Sequence, residues 1–209
     1  MPKSYKSLGS VDCPGVVRDL DPVLKSQSTH YSTEEIFHVA SLPGFKRLPR
    51  QLVPNERHVM HPPVYLYGWT ISRKKLLKYA KDNNLRQYVQ EVIWSHDDSD
   101  SDDDENDEDF EPEIVTVYDR SLTIETALCA LAKDVGFQIR YQCPLASVLA
   151  RGTSVSFFAL YSNYQLADAP SRDEVTTLWE HLRTRVGVTK PPRWLPDDDE
   201  LRWRQRCWQ

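Results

Sequence analysis

The chain has 209 residues, 40% of them hydrophobic, enough for one core of ordinary size with extensions. Its formal charge of -5 conceals a division: twelve of the 31 acidic residues lie in the run 97–113, DDSDSDDDENDEDFEPE, and the remainder holds 26 bases against 19 acids, a balance of +7. No stretch approaches the ~20 apolar residues of a bilayer span, and the seven glycines stand apart with no GxG, which excludes dinucleotide and P-loop phosphate cradles.

Residues 1–30 are polar, rich in serine and aperiodic, and the expectation there is a mobile N-terminal arm. The opening segment MPKSYKSLGSVDCPG has no apolar h-region, so a cytoplasmic or nuclear protein is expected. Cys13, Cys129, Cys143 and Cys207 are dispersed without a CxxC pair and read as free thiols. Ser32 and Glu35 have capping-box spacing and open a short helix with Ile36, Phe37, Val39 and Ala40 on its apolar side. Five prolines between 43 and 63 then favour an extended strap.

Residues 64–71 alternate aliphatic and aromatic positions, as a strand does. Ser72 caps a basic amphipathic helix, with Leu76, Leu77 and Ala80 on one side and Lys74, Lys75, Lys78 and Lys81 on the other. Residues 85–93 read as a second helix, with Leu85, Tyr88, Val89 and Val92 inward. After the acidic run, 114–118 reads as a strand. Ser121 opens a helix on which Ile124, Ala127, Leu128, Leu131 and Val135 share one face, and Gly136 suits its C-terminal end. Phe137, Ile139 and Tyr141 alternate with polar residues in the manner of a strand with one wet face. A short helix at 145–149, a strand at 155–161 and a helix opened by the capping box of Ser171 and Glu174 complete the order.

Helices alternating with strands allow a three-layer α/β arrangement, but the half-wet Phe137 strand fits poorly with a sheet covered on both faces. The expectation is therefore α+β, a small mixed or antiparallel sheet with helices mainly on one face, with α/β as the alternative. The predicted organisation is one globular domain over 31–190, interrupted by a disordered acidic insertion at 97–113 and followed by a Trp-rich helix over 191–209.

The acidic run cannot bury itself, because its charges repel and it offers almost no apolar surface. It serves as a solvated loop, as a docking element for basic surfaces, or as a phosphorylation tract. Ser95, Ser99 and Ser101 each have Asp three residues on, the context read by an acid-directed kinase. Arg73, Lys74, Lys75, Lys78 and Lys81 form a basic face that could meet phosphates or clamp onto the acidic run, although a solvated helix face is the simpler reading. Trp203 and Trp208 are candidate partner anchors if the terminal helix stands free, and core residues if it docks. His58 and His61 lack further ligands at metal spacing, so no metal and no cofactor are expected. No nucleophile elbow is present, and no catalytic residue can be assigned.

The leading expectation is therefore a non-enzymatic intracellular interaction or regulatory protein that docks basic protein partners through the acidic run. A nucleic-acid-associated protein using the basic helix is the first alternative, and an enzyme with a dispersed site the second. No membrane partner is expected.

Overall fold

The computed structural model describes residues 20–55, 59–93 and 113–205. Ser95, Ser99, Ser101, His58, Trp208, most of the N-terminal arm and all of the acidic run except Glu113 lie outside the described residues. The fold is α+β. Its main sheet has the order β5-β6-β2-β7, built from β2 (Tyr65–Thr70), β5 (Leu145–Ala150), β6 (Thr153–Ser162) and β7 (Arg193–Pro196), and every pairing in it is antiparallel. That pattern replaces the α/β alternative.

β5 and β6 form a hairpin around Arg151 and Gly152, both with positive φ (56° and 77°), the twist a two-residue turn requires. The predicted short helix at 145–149 is thus a strand: its apolar run suits either state, and the turn decides it. The outer edges of the sheet meet where Val148 bridges Asp197 and the Asp198 N–H donates to Ser147 O at 3.2 Å. The sheet so curls around a small interior of Val64, Leu66, Val148, Ala150, Phe157, Ala159 and Leu195. Gly68 sits at a bulge in this curl, where an added Cβ would fall 1.9 Å from Phe158 O.

The outward face, with Tyr65, Tyr67 and Trp69 of β2, packs against the α-helices of the described residues: α1 (Pro22–Lys25), α2 (Thr33–Ser41), α3 (Arg73–Asp82), α4 (Arg120–Lys133) and α5 (Arg172–Val186). Both predicted capping boxes form, at Ser32 with Glu35 and at Ser171 with Glu174, and Gly187 closes α5 at φ 66°. Ile124, Ala127, Leu128 and Leu131 of α4 are buried, as are Leu178, Leu182 and Val186 of α5. On α2 only Val39 and Ala40 are buried, while Ile36 and Phe37 face outward.

Four further expectations change. Residues 20–28 are not part of a free arm: Leu20 and Leu24 are core residues, and Trp203 Nε1 donates to Leu24 O at 3.1 Å. Residues 191–205 are not helical but form β7 and the short strand β8 (Arg204–Gln205), which pairs with β1 (Met60–His61). Pro191, Pro192 and Pro196 oppose a helix there, and Asp197 accepts from the N–H groups of Asp199 and Glu200, making a turn of the acids that resemble a helix start. Residues 137–141 form no strand; their alternation reflects a loop buried on one side, with Phe137 in the core. Residues 87–93 form strand β3 rather than a helix, paired over all seven positions with β4 (Glu113–Asp119).

The Pro-rich strap is held by one buried side chain. Asn163, 1% exposed, accepts from Tyr65 N–H at 3.0 Å and donates to Leu52 O at 2.8 Å and Pro63 O at 3.0 Å. Asn163→Ala leaves three buried backbone groups without that partner. We expect a loss of about 2–4 kcal/mol in denaturant unfolding, since each unpaired buried group costs roughly 1–3 kcal/mol and partial relaxation offsets some of it.

Asp197 yields a pH prediction. Burial raises its carboxyl above the ordinary range, the two backbone N–H bonds oppose that rise, and the neighbouring Asp199 and Glu200 add to it. The folded state therefore binds this proton more tightly than the unfolded one. Its contribution is greatest below the ordinary carboxylate pKa and is lost as pH rises through the raised one. Asp197→Asn keeps the accepting oxygen and should be more stable than the parent at neutral pH, with that advantage shrinking on acidification. Thermal unfolding of the two chains across the acidic range checks this.

Candidate functional site

The predicted basic face of α3 forms, but its charges are largely engaged. Arg73 Nε donates to Ser156 Oγ at 2.7 Å, Lys75 Nζ donates to Gly187 O at the end of α5 at 3.3 Å, and Lys78 pairs with Asp82 one turn on. Lys75 thereby answers the exposed carbonyl of a helix C-terminus. Of the five cations, Lys74 and Lys81 have no such partner among the described residues. All five side chains remain exposed, three of them held by surface contacts.

Beside α3 lies a polar junction of three helices. Asp134 Oδ2 accepts from Tyr79 OH at 3.2 Å and lies 3.3 Å from His181 Nε2, linking α3, the end of α4 and α5. Burial, and then Asp134, raise the Tyr79 phenol. A phenol so shifted keeps its proton at neutral pH and so offers no base there. Cys129, exposed on α4 at a shallow hollow shared with Lys133, Phe137 and Ile139, has its thiol pushed up by partial burial and by Glu125. An activated thiolate needs the opposite shift. Cys143 is exposed just before β5. The His61 ring lies tilted against Tyr164 with centroids 6.3 Å apart, and the Arg204 guanidinium lies 5.9 Å from the Tyr164 ring. Trp203 is 2% exposed and ties residues 24–28 to the C-terminal segment, so its anchoring role is internal.

The feature without an internal explanation is the ribbon of β3 and β4. It is a two-stranded sheet in register from Gln87↔Asp119 to Ile93↔Glu113. Its base is fixed by buried Thr123 of α4, whose Oγ1 accepts from Gln87 N–H at 2.9 Å and donates to Asp119 O at 2.6 Å. Away from this mount the strands emerge into solvent. Tyr88, Val92, Ile93, Ile114 and Val117 are half of the ten large apolar side chains exposed among the described residues. Register puts Tyr88 with Tyr118, and Val92 with Ile114, on one face; Val89 with Val117, and Ile93, lie on the other. The ribbon carries Glu91, Glu113 and Asp119 and no Lys or Arg, and residues 94–112, which join its strands, contain eleven more carboxylates. An isolated two-stranded ribbon is marginal in water, and apolar surface on both faces weakens it further.

The charge run was evident in the sequence, whereas the ribbon was not, because 85–93 satisfies helical spacing. The signal that favours a strand is β-branched and aromatic content, in Tyr88, Val89, Val92 and Ile93, matched by Ile114, Val115, Val117 and Tyr118 across the acidic run. Among the described residues no helix is long and apolar enough to cross a membrane, and no three His, Cys, Asp or Glu side chains cluster as metal ligands would. Comparison with family models, curated proteins and solved structures gives no match.

Thr123→Val preserves shape but removes both bonds at the ribbon's base. Native-state hydrogen exchange should show the amides of 88–92 and 114–118 losing protection worth about 1–3 kcal/mol, the cost of an unpaired buried N–H. Protection in β2 and β6 should change little; equal loss throughout would show that the ribbon does not open separately.

Proposed function

We propose that the protein is an intracellular, non-enzymatic interaction or regulatory protein that docks basic protein partners through its acidic run. The observation that carries this reading is the position of the run in the chain: it joins Ile93 and Glu113, the paired outer ends of a solvent-exposed ribbon that has no cation of its own. Eleven carboxylates so concentrated attract cationic partners and speed their encounter. Phosphorylation at Ser95, Ser99 and Ser101 deepens the same field, each phosphate adding about -1.5 to -2 charge. The surface contacts of Arg73, Lys75 and Lys78 leave fewer α3 cations free for phosphates, and the raised thiol speaks against Cys129 as a nucleophile.

The test uses the full chain and a variant with the carboxylates of 97–111 replaced by Asn and Gln. A labelled oligolysine peptide serves as probe, followed by fluorescence anisotropy at low and moderate salt. The parent should bind at least about tenfold more tightly at low salt, with the difference fading as screening shortens the reach of exposed charges. Kinase-treated parent should bind more tightly still. Equal binding by parent and variant would remove the acidic run from any docking role.

A further inference from the structure

Resting on that reading, we infer that the β3–β4 ribbon is itself a docking surface, and that its occupant is an extended segment of a basic partner, with Lys or Arg alternating with aliphatic residues, added as a strand to an open edge. Three observations converge on it. The sheet contains two strands only, so each has an outer edge whose backbone N–H and C=O groups no described strand takes up. Such edges are templates for strand addition unless they are covered or blocked, and neither strand contains Pro or Lys. Apolar side chains accompany those edges, with Val92 51% and Ile114 63% exposed as a direct cross-strand pair. A third strand would cover them while completing the ladder, which also remedies the weakness of a two-stranded ribbon.

Charge selects among occupants. A second copy of the ribbon would bring together two sets of Glu91, Glu113 and Asp119 and two eleven-carboxylate connections, all of one sign. Like charges so close oppose pairing, whereas a partner strand with cations meets attraction at every turn. Alternation follows from strand geometry: one face of the added strand lies against Val92 and Ile114, and the other presents cations to Glu91 and Glu113. The acidic run supplies attraction over distance, and the ribbon supplies the seat.

The probes are a synthetic ten-residue peptide alternating Lys and Val, and its twin with two central Val replaced by Pro. The twin keeps its charge but cannot continue a ladder. Isotope-labelled full chain is titrated with each by NMR, alongside the double variant Val92→Thr, Ile114→Thr, whose β-branched replacements retain strand propensity. We expect the Lys–Val peptide to shift amides of 87–93 and 113–119, the Pro twin to bind at least about tenfold more weakly, and the double variant to lose about tenfold while its free spectrum keeps the hairpin pattern. Equal binding of both peptides, with no shifts in the ribbon, overturns strand addition and leaves acidic docking standing. Failure of both peptides to bind at low salt overturns strand addition and acidic docking alike. Ribbon shifts that depend on protein concentration without peptide would assign the surface to a second copy. Ribbon shifts that appear in the free chain on removing residues 1–19 would assign it to the chain's own N-terminal segment. Either result overturns the inference.

Discussion

Three backbone groups remote in sequence from Asn163 converge on its amide, and much of the architecture follows from that convergence. Its oxygen satisfies the first N–H of the central strand at Tyr65, and its nitrogen satisfies carbonyls at both ends of an extended segment, Leu52 and Pro63. A Pro-rich strap has few N–H groups of its own and makes little regular structure, so its carbonyls must be satisfied from outside. Asn suits the task because it donates and accepts on one planar group. Asp would present oxygens to two carbonyls, and Leu would satisfy none of the three groups. With the strap fixed, Leu52 is sealed at 0% exposure and Val64 enters the curled sheet.

The same economy appears at the chain's other closures. Trp203 spends its indole N–H on Leu24 O, joining residues near the two ends of the described chain. Asp197 forms a turn and bridges to Val148, drawing the two sheet edges together. Each closure uses a side chain to satisfy backbone that no regular ladder reaches. The curl itself requires Gly68, since any Cβ there would strike the Phe158 carbonyl. Tyr67, Tyr161 and Trp194 then meet on the outer face with ring centroids 5.2–5.3 Å apart, beneath the helical layer.

Local signals were legible in the sequence wherever one element determined them. The capping boxes at Ser32 and Ser171, the αL glycine at 187 and the apolar stripes of α4 and α5 depend on residues within a few turns of one another. The fold class agrees, although the feature that favoured it, a half-wet strand at 137–141, is a loop in the structure, and the order of elements alone allowed α/β. What the sequence concealed depended on distant partners. Residues 85–93 fit a helix until β4, beyond the acidic run, supplies seven registered pairs. Residues 145–149 fit a helix until Arg151 and Gly152 turn the chain back. The cations of α3 were readable as a face, but the Gly187 carbonyl that takes Lys75 comes from a helix more than a hundred residues away. For the candidate site, charge was visible and geometry was not.

A long acidic connection between two strands imposes a cost that a short turn would not. Closing a loop of about twenty residues rather than two adds roughly 2 kcal/mol of entropy, since the cost grows as (3/2)RT ln n. Dense like charge within the loop opposes closure further. The ribbon must offset this with seven cross-strand pairs and little burial. Thr123 explains how it survives: one hydroxyl holds both strands at the base, so the register is set before the repulsive segment begins. The arrangement therefore separates two tasks. Helix α4 and its threonine fix where the strands start, and under the proposed reading a partner's strand and charge would supply what the ribbon lacks farther out. Under that reading, stability withheld from the free ribbon would be gained on binding, and occupancy would respond to salt and to phosphorylation of the connection.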